Sequence, residues 1–251
     1  MTSLKSPLLS QYQNITHAFS TKKGGYSQSP YKGNNLAYHV NDHQETVDKN
    51  HLYFSEQMKY PLERLVHMDQ VHGDNIVVID EKSNLNDLPQ CDAIMTNLKN
   101  TPLMVMVADC IPILIYDPVK DVISVVHAGR AGTFSNILTK TLEMMQQTYS
   151  SDYQDILIVL GPSIHQCCYE VGSEINQEAK RDGYAYAIKT ESNHYYLGLE
   201  AIIIQQLKIL NIPKENIELS PYCTACNTHL FYSYRAEDSI CGRFCGVLML
   251  K

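Results

Sequence analysis

The stretch PLMVMVADCIPILIYDPVKDVISVVHAG, residues 102–129, contains three continuous apolar runs separated by turn and polar residues. The runs 102–107, 112–116 and 122–126 are rich in valine, isoleucine and leucine, which predicts strands. They lack the alternation of a half-exposed strand, so both faces are expected to be buried. Two runs of the same kind, 75–79 and 156–160, flank the stretch. Helical patterns occupy residues 42–59, about 135–149 (with Ile137, Leu138, Leu142 and Met145 on one face), a segment starting near 173, and 199–210. Short strands are expected near Ile217 and over 247–250. The expected class is α/β (α+β): a single layered domain over residues 1–251, with mixed β-sheets flanked by helices.

Working outward from these strands, chemistry gathers at their ends. Cys110 follows the first run, His127 follows the third, and His72 precedes the run at 75–79. Two histidines and a cysteine form a donor set for zinc, with copper as the alternative. Three protein ligands leave one coordination position open, as in catalytic rather than structural zinc. Asp109 is expected to orient a ligating histidine through its second ring nitrogen. Gly129 lets a group approach closely beside His127. Each residue also has a plain structural role, a packed thiol or a hydrogen-bonded imidazole. A cysteine hydrolase, with Cys110 as nucleophile and His127 or His72 as base, uses the same side chains. Metal content separates that reading from the metal site.

The bulk properties fit an ordinary globular protein: 251 residues, 44% hydrophobic, 19% charged, formal net charge −7. That charge, with no basic block, argues against nucleic acid or an anionic membrane as a partner. The first twenty residues contain no uninterrupted apolar segment, so no signal peptide is read. No apolar run approaches a membrane span. Eight cysteines without a secretion signal read as reduced thiols, and a cytoplasmic location is expected. The polar, turn-rich segment KKGGYSQSPYKGNN, residues 22–35, is expected to be a functional loop.

Three further cysteine patterns were weighed. Cys223-x-x-Cys226 with Cys241-x-x-x-Cys245 resembles two zinc knuckles, against the simpler reading of a turn and buried thiols. Cys167 and Cys168 are adjacent, so one side chain is expected to pack inward and the other not. His43-Gln44-Glu45 and Pro221-Tyr222-Cys223-Thr224-Ala225-Cys226 approach the nucleobase-deaminase signature, but the extra tyrosine breaks it.

HAFSTKKGG, NNLAYHVND, QVHGDNIVVID, CDAIMTN, VADCIPILIYDP, VHAGRAG, LGPSIHQCCYEVG and FYSYR follow one another between His17 and Arg235. In that order they resemble the multi-copper polyphenol oxidase, or YfiH-like, family, also described as LACC-like purine nucleoside phosphorylases. The resemblance spans essentially the whole chain. It implies zinc on His72, Cys110 and His127, phosphorolysis of purine nucleosides, and deamination of adenosine. Phosphate and nucleoside are then the partners, with Lys22, Asn35, Arg235 and Arg243 as substrate-binding candidates and the chain as a monomer. Two classes of function compete: a copper-dependent, laccase-like oxidase of phenols, and a cell-wall (peptidoglycan) editing role using the same site. Two departures from the family pattern stand out. HAGWRG reads His127-Ala-Gly-Arg130-Ala131-Gly, which shifts the positive charge by one residue, and FSTR reads FSTK, with Lys22 in place of a bidentate arginine.

Overall fold

The computed structural model describes residues 1–85 and 87–251. In chain order its strands and helices are β1 (Ser3–Leu4), β2 (Ile15–Ser20), α1 (Gln44–Met58), β3 (Ile76–Val78), β4 (Ala93–Thr96), β5 (Leu103–Val107), β6 (Ile111–Asp117) and β7 (Val122–Ala128). There follow α2 (Arg130–Phe134), α3 (Ile137–Tyr149), β8 (Leu157–Leu160), β9 (Glu170–Val171), α4 (Ser173–Arg181), β10 (Ile188–Glu191), β11 (His194–Leu197), α5 (Leu199–Ile209), β12 (Ile217–Leu219) and β13 (Phe244–Leu250).

The continuous apolar runs have a direct cause. β5, β6, β7 and β13 are buried along their whole length, because each belongs to an inner layer covered on both sides. One sheet has the order β12-β8-β6-β7-β4-β3 and another the order β1-β2-β13-β5. The six-stranded sheet is mixed: β12 with β8 and β3 with β4 are parallel, while the pairs between β8, β6, β7 and β4 are antiparallel. The two sheets share a core in which Phe19, Val105, Val107 and Phe244 meet Leu114, Tyr116, Ile123 and Val125. The neighbours along each strand point the other way. Met104, Met106, Val247 and Met249 pack with Phe54 and Met58 of α1. Ile113, Ile115, Val126 and Ile158 pack with Leu138, Leu142, Ile202 and Ile203 of α3 and α5. The layers therefore run helix, sheet, sheet, helix. Burial of this extent, at about 25 cal/mol per Å² of apolar surface, drives the assembly.

A small antiparallel sheet, β10-β11-β9, lies outside these layers. The segment after His127 turns directly into the helix α2. Among the described residues no helix is long and apolar enough to cross a membrane.

Candidate metal centre

Strand pairing assembles the site. Register Ala93↔Val126 and Pro112↔His127 sets the end of β7 between β4 and β6. Cys110 sits in the tight connection from β5 to β6, where Asp109 has φ 87°. His72 has φ 58°, in the loop before β3. Two non-glycine residues in the left-handed region within one site are a local cost that the surrounding fold holds in place. The result brings ligand atoms of His72, Cys110 and His127 within 4.8 Å of one another. The two imidazoles meet edge to face, with ring centroids 4.7 Å apart. A β-carbon at Gly129 would stand 3.1 Å from Cys110 Sγ and 3.3 Å from the His72 ring, so a bare residue there lets the site close.

The residue that orients the donors is Asp92, not Asp109. Asp92 is fully buried, and its Oδ1 lies 2.7 Å from His127 Nδ1. The same carboxylate accepts the backbone N–H groups of His72 at 3.0 Å and Gly73 at 2.6 Å. It thereby fixes both histidine segments and leaves His127 Nε2 as the free ring nitrogen. Burial pushes the Asp92 carboxyl up, but its bonds from His127, Gly73 and His72 outweigh this and hold it below the usual carboxylate range. Asp109 has a different task. It accepts the Thr224 hydroxyl at 2.6 Å and the Arg235 backbone N–H at 2.8 Å, clamping two distant loops beside Cys110.

The donors suit a soft or borderline cation. Burial opposes charge on Cys110, yet the two imidazoles outweigh it and bring the thiol down to about 6. His127 rises to about 9 despite burial, through Cys110 and Asp92. A thiolate beside two imidazoles, one tied to a carboxylate, fits the chemistry of a three-ligand zinc site.

His72, Cys110 and His127 line a cavity of about 480 Å³. Arg235 and Arg243, both expected from the sequence, line it. Arg235 Nη1 donates to the Glu170 carbonyl at 2.6 Å, and its guanidinium stands 5.0 Å above the Tyr169 ring. Arg243 Nη1 donates to the carbonyls of Cys241 and Gly242, with the guanidinium 5.7 Å from the Tyr234 ring. Lys22 and Asn35 are not among the lining residues. Lys22 Nζ pairs with Glu237 at 2.9 Å, and Glu237 in turn accepts the Ser233 N–H. Asn35 is fully buried, and its Oδ1 accepts the Arg243 backbone N–H at 2.9 Å. Both therefore brace the loops that carry Tyr234, Arg235 and Arg243. Arg130 and Ala131, the positions of the altered motif, do line the cavity. Arg130 Nη1 bonds Glu178 at 2.7 Å, which engages its charge at the rim.

His39, Gln70, Tyr169 and Tyr234 also line the cavity, and the sequence alone assigned them no role. All four lie inside motifs that were noticed, so the signal for them was proximity to those motifs.

Asp92→Ala should lower metal affinity and turnover together by roughly 10- to 100-fold, the usual cost of losing a group that orients a ligand. Chelator competition and steady-state kinetics read both. Wild-type values for each in a folded variant would remove Asp92 from the site.

The Cys223/Cys226 and Cys241/Cys245 pairs do not form one zinc ribbon. Cys241 and Cys245 are buried in the core, and the Cys245 N–H bonds Ser20 Oγ. The partners of Cys223 and Cys226 are instead Cys167 and Cys168. Cys167 is exposed and Cys168 half-buried, and both sulfurs turn toward Cys226.

A purine nucleoside phosphorylase YlmD of Bacillus subtilis is 30% identical over 249 residues, covering 95% of this chain and 90% of that protein. A purine nucleoside phosphorylase of Corynebacterium glutamicum is 31% identical, covering 94% of each. The crystal structure of the Bacillus licheniformis hypothetical protein YfiH superposes with a TM-score of 0.93 at 30% identity, over 100% of this chain and 97% of that one. YlmD from Geobacillus stearothermophilus gives 0.91 at 26% identity, with the same coverage. Residues 16–251 match the family model described as multi-copper polyphenol oxidoreductase laccase, and the chain belongs to that family.

Proposed function

We propose that this protein is a zinc-dependent purine nucleoside phosphorylase. It cleaves adenosine, inosine, guanosine and methylthioadenosine with phosphate, releasing the base and the sugar 1-phosphate, and it also deaminates adenosine. The observation that carries this reading is one cavity lined by three candidate metal donors, three arginines and two tyrosines. The relatives named purine nucleoside phosphorylase support it.

When bound to His72, Cys110 and His127, zinc supplies Lewis acidity at an open position. The chain's own residues do the rest. Arg235 and Arg243 present positive charge and N–H donors suited to phosphate. Their guanidinium groups are already tethered to backbone carbonyls, so little side-chain freedom is lost when the anion arrives. Tyr169 and Tyr234 offer flat faces for a purine. Met106, Val107, Ile164 and Leu199 keep the cavity apolar, which strengthens charge–phosphate attraction. Asp92 holds the proton on His127 Nδ1 and keeps that ring in register.

The test is incubation of adenosine and inosine with and without phosphate, with products identified. Phosphate-dependent release of base supports the reading, while oxidation of phenols without nucleoside cleavage would favour the copper alternative. Arg235→Ala should raise the KM for phosphate roughly tenfold or more, since a charge-assisted bond is worth about 1.5–3 kcal/mol. The KM for nucleoside should move less. An equal change in both would assign Arg235 to shaping the cavity instead.

A further inference from the structure

A second donor group shares no residue with the first. Cys167 and Cys168 lie in the connection from β8 to β9, while Cys223 and Cys226 lie in the connection from β12 to β13. All four sulfurs fall within 4.8 Å of one another. Three of the six separations are 3.6 Å for Cys167–Cys168, 3.8 Å for Cys167–Cys226 and 3.3 Å for Cys168–Cys226. Four sulfurs at about 2.3 Å from a central zinc stand about 3.8 Å apart along the edges of the tetrahedron. Three of the thiols thus stand near the edge lengths of such a site, and Cys223 lies within 4.8 Å of each of them.

The two loops are held in this arrangement by the backbone. Ser163 and Cys223 form a parallel bridge, and the Thr224 N–H donates to the Ser163 carbonyl at 2.8 Å. The His165 N–H donates to Cys223 Sγ at 3.4 Å, a contact that favours the thiolate. Asn227 Nδ2 closes the Cys223–Cys226 turn on the Cys223 carbonyl at 2.8 Å. A Cys-x-x-Cys turn with N–H groups on its sulfur is the geometry of a zinc knuckle, and the adjacent Cys167–Cys168 pair completes the donor set.

We propose that Cys167, Cys168, Cys223 and Cys226 bind one zinc ion as a closed tetrathiolate site that fastens these two loops together. Loading exchanges the thiol protons for the ion, with no change of oxidation state. With four protein ligands no position is open, so the role is structural. The first of these loops contributes Ile164 and Tyr169 to the cavity lining. Tyr169 follows Cys168 and lies beneath Arg235. Thr224 follows Cys223 and donates to Asp109, next to Cys110. The proposal does not depend on which reaction the cavity performs.

The test separates the two sites. The full-length protein, prepared with reductant and zinc and then desalted, should carry two zinc ions per chain in native mass spectrometry. The Cys110→Ala/His127→Ala variant should keep one, and its zinc-edge X-ray absorption should show four sulfur neighbours at about 2.3 Å. Cys168→Ser/Cys226→Ser should lose that ion and keep a histidine-bound one. If the second variant does not fold, the absorption spectrum of the first decides alone. A Cys110→Ala/His127→Ala protein without zinc, or with nitrogen and oxygen neighbours around it, would overturn the proposal. So would Cys168 and Cys226 recovered as a disulfide in zinc-treated, reduced protein.

Discussion

Cys110→Ala should leave a folded protein with almost no nucleoside cleavage. Cys110 is the one thiol that meets both His72 and His127, and it supplies the negative charge of the donor set. Losing that ligand should reduce kcat/KM on the order of a thousandfold, about 4 kcal/mol of transition-state stabilisation. The fold should survive, because three apolar clusters, built mostly from residues away from the site, hold the layers together. Steady-state kinetics and circular dichroism check the two halves of this expectation. A cysteine nucleophile would also be lost in this variant, so wild-type protein should be compared before and after metal removal. Activity abolished by a chelator and restored by zinc belongs to a ligand cysteine, whereas full activity without metal belongs to a nucleophile. Near-normal turnover by the zinc-loaded Cys110→Ala variant would contradict both.

The second large effect is on stability. Gly33→Ala should destabilise the protein by on the order of 3 kcal/mol, combining a disfavoured backbone conformation with an overlap. Gly33 has φ 119°, and a β-carbon there would stand 1.9 Å from the Lys22 carbonyl oxygen. Neither neighbour is free to yield. Gly33 exchanges both backbone hydrogen bonds with Ser27, and the Lys22 carbonyl accepts the Asn34 N–H. The consequence reaches the cavity, because Lys22 and Asn35 brace the loops carrying Tyr234, Arg235 and Arg243. A melting temperature lowered by roughly 6–12 °C is expected, with weaker phosphate use at permissive temperature. An unchanged melting temperature would show that the 22–35 loop rearranges at little cost.

These residues also show how far a sequence can be read. The inner strands were legible because burial on both faces leaves an apolar run that needs no partner to be recognised. β2 was hidden by His17 and Ser20, polar residues that the core tolerates through bonds to Ser6 and Cys245. β4 was hidden by its four-residue length. β10 and β11 are exposed or half-buried over most of their length, so no apolar pattern marks them.

At the site, residue type and place at strand ends singled out His72, Cys110 and His127, which the structure brings within 4.8 Å of one another. Asp92 was not, although CDAIMTN was noticed, because its contact with His127 depends on the β4–β7 register. Register follows from the whole sheet and leaves no local trace. The same limit hid the cysteine cluster. Spacing offered only Cys241 and Cys245, against a plain turn with buried thiols, as partners for Cys223 and Cys226. The Ser163–Cys223 bridge joins them instead to a loop more than fifty residues away (223 − 168 = 55). Lys22 and Asn35 were found by motif, but only the packed loops reveal that they hold other residues in place.

The most direct test of the central claim is to quantify both products from inosine and phosphate with zinc-loaded protein. Hypoxanthine and ribose 1-phosphate should form in a one-to-one ratio, with both lost in the Cys110→Ala variant. Free ribose in place of ribose 1-phosphate, or product formation indifferent to Cys110, would contradict it.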